Sequence, residues 1–169
     1  FLYEQERWHE LMDLYGHLLD YLEQGGGTHQ GSNLHYRRGQ LQLERLGQPG
    51  EAAASFMKAL EHDPKSDAAM KMLEQIFVQE QDWMGLVRAY EQRANLLPEN
   101  ELFRTESLRQ AARLSVSRLP SGTRESLRLW EAIHKADPID NEAISALEAI
   151  YEENGEHRKL VELLETKLA

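Results

Sequence analysis

The fold is decided by the stretch Glu51–Glu91, EAAASFMKALEHDPKSDAAMKMLEQIFVQEQDWMGLVRAYE. Its apolar residues predict three consecutive amphipathic helices joined by short breaks. Much of the stretch returns later in the chain at a fixed offset, so that Asp63-Pro64 becomes Asp137-Pro138 and Leu86-Val87 becomes Leu160-Val161. No insertion or deletion separates residues 34–95 from residues 108–169. A fixed period over this length is the signature of stacked repeats and predicts a helical solenoid.

This 74-residue period divides into smaller units. The large residue of the second helix in each pair recurs with spacings of 41, 34, 40 and 34, at Tyr15, Phe56, Tyr90, Trp130 and Leu164. On this register the chain resembles the tetratricopeptide repeat family, whose 34-residue helix–turn–helix unit ends in proline. The family pattern of small residue, aromatic, alanine and proline falls on Ala52, Phe56, Ala59 and Pro64.

The resemblance extends from about Leu2 to Leu168, with some departures. The small residue that the family uses for close contact in its first helix falls on Gln40, Glu74, Leu114 and Glu148. Another solenoid of helical pairs therefore stays open as the alternative. The resemblance implies an all-α fold, a right-handed α–α superhelical solenoid of tetratricopeptide-like helix pairs.

The repeat register also gives the expected domain organisation. We expect a partial unit at residues 1–24, made of the end of a first helix and a full second helix, and a glycine-rich linker at 25–32. Four units follow, at 33–66, at 67–106 with a longer connection, at 107–140 and at 141–169. Because the register begins in the middle of a unit, we expect a segment of a longer array. The linker lacks the Lys-Ser/Thr that a phosphate-binding loop needs after its glycines.

Composition excludes several classes of protein. The chain has 169 residues, a usual length for one domain, with 41% hydrophobic and 28% charged residues. It has no cysteine, which excludes disulfides and thiolate metal sites and leaves the cellular compartment open. The formal net charge of −10 argues against nucleic acid as a partner. No apolar run approaches the roughly 18 residues that a membrane helix requires, so no membrane partner is expected.

Residue constellations for catalysis are not found in the sequence. Seven histidines are scattered along the chain, no two of them four apart on one predicted helix, and there is no HExxH motif. No serine stands in a GxSxG context. We therefore expect no enzyme, no cofactor and no metal. Three tryptophans, Trp8, Trp83 and Trp130, hold fixed places within repeats, which favours a role in the core over ligand stacking.

Charge is unevenly distributed. Residues 104–128 hold six arginines against two glutamates, a net charge of +4, namely Arg104, Arg109, Arg113, Arg118, Arg124 and Arg128 against Glu106 and Glu125. Residues 129–169 are acidic, with ten carboxylates against four basic side chains. Ordinary ion pairing on helix faces is the simpler interpretation of the arginine run, and a dedicated binding site is the alternative.

The family resemblance implies a concave groove, lined by the first helices, that receives an extended peptide or a partner helix. Carried over position by position, the groove lining is Leu34, Arg37, Leu41, Lys71, Gln75, Ser115 and Arg118, with Glu142, Ser145, Ala149 and Glu152 in the last unit. The asparagines of the family's carboxylate clamp for chaperone tails are absent from these positions.

These observations predict a non-catalytic protein–protein interaction scaffold. Arg37, Lys71 and Arg118 would supply charge for an acidic protein or peptide partner. The alternative is an architectural segment that docks end to end or self-associates through an end face formed by Tyr3, Trp8 and the apolar face from Leu11 to Leu22.

Overall fold

The computed structural model describes residues 2–25, 28–99, 101–119 and 122–168. These residues form helices joined by short connections, and no strand occurs among them. In chain order the helices are α1 (Leu2–Gly25), α2 (Thr28–Glu44), α3 (Pro49–His62), α4 (Asp67–Gln79), α5 (Trp83–Asn95), α6 (Leu102–Arg118), α7 (Gly122–Ala136), α8 (Asn141–Asn154) and α9 (His157–Leu168). The predicted all-α fold class is confirmed.

The chain divides into two compact units, Phe1–Asp82 with α1 to α4 and Trp83–Ala169 with α5 to α9. Within each unit every helix packs on the next one along the chain. Because the connections are short, neighbouring helices run antiparallel. The helical-repeat architecture predicted from the period is therefore present in each unit.

The 74-residue period is visible in the helix boundaries. Helix α2 begins at Thr28 and ends at Glu44, and α6 begins at Leu102 and ends at Arg118, so both boundaries recur at the same offset. The cap of the following unit repeats as well, since Ser66 Oγ accepts from the Ala69 N–H at 3.3 Å and Asp140 Oδ1 accepts from the Ala143 N–H at 2.8 Å. These bonds satisfy a donor that the first helical turn leaves unpaired.

Proline and glycine mark other helix boundaries. Pro49 is the first residue of α3, where its missing N–H costs no hydrogen bond. Gly47 and Gly155 follow the ends of α2 and α8 with φ of 63° and 68°, the left-handed conformation that glycine adopts without a steric penalty.

Two expectations about the first 32 residues are wrong. Residues 2–25 form one continuous helix rather than the end of one helix and a second helix. Thr28–Ser32, assigned to the glycine-rich linker, form the first turns of α2, while Gly26 and Gly27 lie outside the described residues. Leu102–Thr105, assigned to a longer connection, likewise belong to α6. The spacings of 41 and 40 thus arise because α2 and α6 are both extended to 17 residues.

Helices α2 and α3 approach closely at Gly39. A Cβ built on Gly39 of α2 would lie 2.8 Å from Cε1 and Cζ of Phe56, which is fully buried. The close-contact residue is therefore Gly39 and not Gln40, where the family register places it. A buried polar pair lies in the same interface, where Ser55 Oγ donates to Gln42 Oε1 at 2.6 Å.

The tryptophans differ in burial. Trp130 of α7 is buried, as expected for a core residue. Trp8 and Trp83 are half-buried, and each has an arginine guanidinium over its ring, Arg45 at 5.2 Å from the Trp8 centroid and Arg118 at 4.6 Å from the Trp83 centroid. These cation–π contacts cover ring surface that the helices leave open.

Candidate functional site

The groove residues predicted from the family register are distributed over both units. Leu41 and Ser115 are buried, with 7% and 0% of their surfaces exposed, so they have almost no surface for a ligand. The assignment of these two residues to an open groove is a misplacement, because packing against neighbouring helices covers them. Ser115 Oγ donates to the carbonyl of Ala111 within its own helix at 2.9 Å.

The remaining predicted groove residues keep accessible surface. Arg37, Lys71 and Gln75 are exposed and Leu34 is half-buried. Arg37 Nε donates to Asn33 Oδ1 at 2.9 Å. Arg118 is exposed, with its guanidinium over the ring of Trp83.

A groove opens in the second unit between α6 and α8, over the side of α7. It has a volume of about 530 Å³. Its lining is Arg113 and Val116 from α6, Ser126 and Trp130 from α7, and Glu142, Ser145, Ala146, Ala149, Ile150 and Glu153 from α8. Three of these, Glu142, Ser145 and Ala149, are positions that the register predicted for the last unit.

The centre of the groove is apolar. Trp130 and Ile150 are buried and form its floor, while Val116 on the wall formed by α6 is 58% exposed. On the opposite wall Ser145 and Ala149 are exposed, and their short side chains leave the surface of α8 open. Exposed apolar surface in a concave site is typical of a place where a partner buries side chains.

One end of the groove is closed by an arginine–carboxylate network between α6 and α8. Arg113 binds Glu142 through two bonds, from Nε to Oε1 at 2.7 Å and from Nη2 to Oε2 at 2.8 Å. Arg109 Nη2 donates to Asp140 Oδ2 at 2.5 Å, and its Nε lies 2.8 Å from Glu142 Oε2 without the alignment of a hydrogen bond. Paired arginine forks of this kind fix geometry as well as charge.

The network also neutralises the arginine run noted in the sequence. Arg128 of α7 pairs with Glu91 of α5 and, at 2.8 Å, with Glu125. Arg104 donates to the Ala94 carbonyl at 3.2 Å. Hydrogen bonds to Glu125 and Glu91 raise the pKa of Arg128, and hydrogen bonds to Glu142 raise the pKa of Arg113. Three of the six arginines, Arg109, Arg113 and Arg128, are therefore ion-paired between helices of the second unit.

The other end of the groove is acidic. Glu152 and Glu153 are exposed in the last turn of α8, where Glu153 belongs to the groove lining. Among the described residues neither carboxylate has an ion pair or hydrogen bond. The carbonyls at a helix C-terminus add partial negative charge to the same end. The groove thus runs from a neutralised network to a negative end.

A histidine pair lies outside the groove, between α2 and α3. His35 stacks on His62 with 5.4 Å between ring centroids, and Gly31 packs flat against the His62 ring. Burial, together with the charges of His62, Arg38 and Lys58, lowers the pKa of His35 to about 4 despite the opposing Glu61. The His35 Nε2 atom is buried without a hydrogen-bond partner. His35 therefore stays neutral at physiological pH, and the stack is a packing contact.

Within the described ranges no group of three or more histidine or carboxylate side chains could hold a metal ion. Over the same ranges no helix combines the length and the apolar character needed to cross a bilayer.

Two features of the site escaped the sequence reasoning. The contribution of Trp130 and Ser126 was missed because the register assigned groove lining to first helices alone, and these residues lie on α7. The pairing of Arg109 and Arg113 with Asp140 and Glu142 was missed because it depends on which helix lies opposite α6.

Comparison with known proteins gives structural likeness only. No family model matches the chain, and no curated protein does. Two crystal structures of MamA are similar at 14% identity: one has a TM-score of 0.48 and covers 98% of this chain and 89% of its own, and the other has a TM-score of 0.47 and covers 95% and 91%. The interpretation of the groove therefore depends on its own residues.

Proposed function

We propose that this chain is a non-catalytic protein-interaction module of tetratricopeptide type, and that the groove between α6 and α8 binds a segment of a partner protein. The observation that carries the proposal is the exposed apolar lining over the buried floor of Trp130 and Ile150. Burying such surface stabilises a complex by about 25 cal/mol for each Å². Helical repeats bind partners through surfaces of this kind.

Filling the groove tests the proposal. Ala149→Trp places an indole between α8 and Val116, and Ala149 is exposed, so the change leaves the core intact. Ala54→Trp is the matched control, since Ala54 is an exposed residue of α3 in the first unit. In affinity capture from lysate of the source organism, we expect a protein retained by wild type and by Ala54→Trp to be lost with Ala149→Trp. Retention by all three proteins would contradict binding in this groove.

The first unit offers a second candidate surface, which is basic. Arg37 and Lys71 are exposed there, which favours the sequence prediction that they contact an acidic segment. Arg37→Glu combined with Lys71→Glu should weaken retention of such a partner and reduce the salt dependence of its binding. Unchanged affinity in the double variant would contradict this assignment.

End-to-end self-association is a second candidate function, favoured by one observation. Leu14, Leu18 and Tyr21 of α1 form an apolar stripe with exposed fractions of 51%, 40% and 74%. The prediction also included Tyr3, whose side chain lies outside the described part. Sedimentation over a range of concentrations should then give a rising mass that Leu14→Ser abolishes. A mass that stays that of a monomer would contradict this function.

A further inference from the structure

We infer that the segment bound between α6 and α8 is an amphipathic α-helix that carries a lysine or arginine beside Glu153. This inference rests on the proposed function and names the class of partner that the groove fits. Three observations support it: the polar content of the lining, the small side chains of one wall, and the unequal charge of the two ends.

The polar content of the lining favours a helix over an extended peptide. An extended chain carries unpaired backbone N–H and C=O groups, which must find partners when they are buried. Here the uncharged polar lining consists of the Trp130 indole N–H, of Ser145, and of Ser126, which is fully buried and has a partner already, so it offers no acceptor row for an extended backbone. At the rim, Arg113 and Glu142 are bonded to each other. A helix satisfies its own backbone and needs only apolar contact from the groove.

The wall formed by α8 permits close approach of such a helix. Ala149 lies four positions after Ser145 and three after Ala146, so these short side chains share one face of α8, with Ile150 on the floor. Distances between packed helix axes depend on the side chains at the contact, and short ones allow the smaller values of roughly 8 Å. The lining of α8 extends from Glu142 to Glu153, which is roughly 16 Å along the helix or three turns. Three turns of partner helix would fill it.

The charge at the Glu153 end of the groove determines which side chain of the partner can bind there. Glu142 is neutralised by Arg113 and Arg109, whereas Glu153 has no ion pair among the described residues and lies beside the exposed Glu152. A basic side chain on the partner would pair with Glu153, and a carboxylate would meet like charge. This part of the inference departs from the acidic partner expected from the sequence, because the arginines nearest the groove, Arg109 and Arg113, are already paired with carboxylates.

The acidic charge of α1 excludes this helix of a second copy as the occupant. Helix α1 has an exposed apolar stripe, but it carries six carboxylates and one arginine, Glu4, Glu6, Glu10, Asp13, Asp20 and Glu23 against Arg7. Placing these charges beside Glu152 and Glu153 would oppose binding. A separate basic helix fits better.

Selection from a display library of random 16-residue peptides tests the inference, since both extended and helical peptides can be recovered. The baits are wild type, Ala149→Trp, Ala54→Trp, Glu153→Lys and the control Glu165→Lys, which changes an exposed carboxylate of α9. We expect peptides lost with Ala149→Trp to have apolar residues at helical spacing and a lysine or arginine at one end. Their affinity should fall about tenfold with Glu153→Lys, stay unchanged with Glu165→Lys, and recover on Glu153→Lys when the peptide lysine is replaced by glutamate.

The outcomes separate the inference from the proposed function. The inference would be overturned by groove-dependent peptides that contain proline, that have apolar residues at every second position, or that are acidic. Any of these results would leave the proposed function standing. Helical basic peptides that bind Glu153→Lys as tightly as wild type would also overturn it. If no peptide depends on the groove, both fail.

Discussion

Gly39 lies where the ring of Phe56 meets the backbone of α2. The register of the family places its small residue at Gln40, one position later, and only the packing shows which residue makes the contact. Sequence spacing predicts which face of a helix is buried, but not which of two adjacent residues touches the neighbouring ring. The departure from the family pattern at Gln40 is therefore offset by the glycine one position earlier.

Replacing Gly39 by alanine should destabilise the first unit. The new Cβ would lie 2.8 Å from two atoms of the Phe56 ring, and overpacking of this kind costs roughly 1–3 kcal/mol. Alanine recovers about 1 kcal/mol through its higher helix propensity. Gly16→Ala in α1 is the matched control, because nothing lies within 4 Å of its Cβ, and it should stabilise slightly. Urea unfolding of both variants measures the difference, and equal stabilisation by the two would contradict the contact.

His35 should make the first unit less stable in acid. Its pKa of about 4 lies below the unfolded value of 6.5, so the folded state binds fewer protons than the unfolded chain. The contribution of His35 to the free energy of unfolding is complete above pH 6.5. It is lost as the pH falls through 6.5 toward 4, by roughly 3 kcal/mol in total. The nearby charges that could alter this window are His62, Arg38, Lys58 and Glu61.

The measurement is the free energy of unfolding between pH 7.5 and pH 5 for wild type and His35→Phe. Phenylalanine keeps the stack on His62 and removes the titrating group, so the variant should lose stability less steeply over this range. Carboxylates and the other histidines are present in both proteins, so their contributions to the pH dependence of stability cancel in the comparison. Parallel curves would contradict a role for His35.

At the scale of the element, Asp140 has two roles: it caps one helix and binds another. Its Oδ1 caps α8 by accepting from the Ala143 N–H, and its Oδ2 binds Arg109 of α6. Ser66, which stands at the equivalent position one period earlier, caps α4 through the corresponding bond to Ala69. The two caps could be predicted from the repeat, whereas the pairing with Arg109 depends on which helix lies opposite.

Variants at these two caps should differ in cost. Ser66→Ala removes a cap alone, worth about 1 kcal/mol. Asp140→Ala removes a cap and a charge-assisted hydrogen bond and should cost about 2–3 kcal/mol. Asp140→Asn keeps an oxygen for the cap and should lie between wild type and Asp140→Ala. Thermal or urea unfolding gives the order, and equal costs for Ser66→Ala and Asp140→Ala would show that the contact with Arg109 contributes nothing.

At the scale of the whole molecule, the repeat made the fold predictable but did not predict much of the candidate site. The 74-residue period determined nearly every helix after α1, because a stacked unit with the same pattern forms the same helices. Three positions of the register, Glu142, Ser145 and Ala149, also line the candidate groove. It misplaced Ser115, and it could not show that the arginines are paired, because both depend on side chains from other helices.

The same repeat architecture predicts that perturbations stay local. Within its unit each helix packs on its neighbours along the chain, so stability is close to a sum of local terms. Gly39→Ala and Asp140→Ala change contacts in different units. In native-state hydrogen exchange, Gly39→Ala should speed exchange in α2 and α3, about tenfold for each 1.4 kcal/mol lost, and leave α8 unchanged. Asp140→Ala should do the reverse. Equal acceleration of exchange in both units by either variant would mean that the chain unfolds as one cooperative body. The change in free energy caused by each substitution would then apply to unfolding of the whole chain and not of one unit.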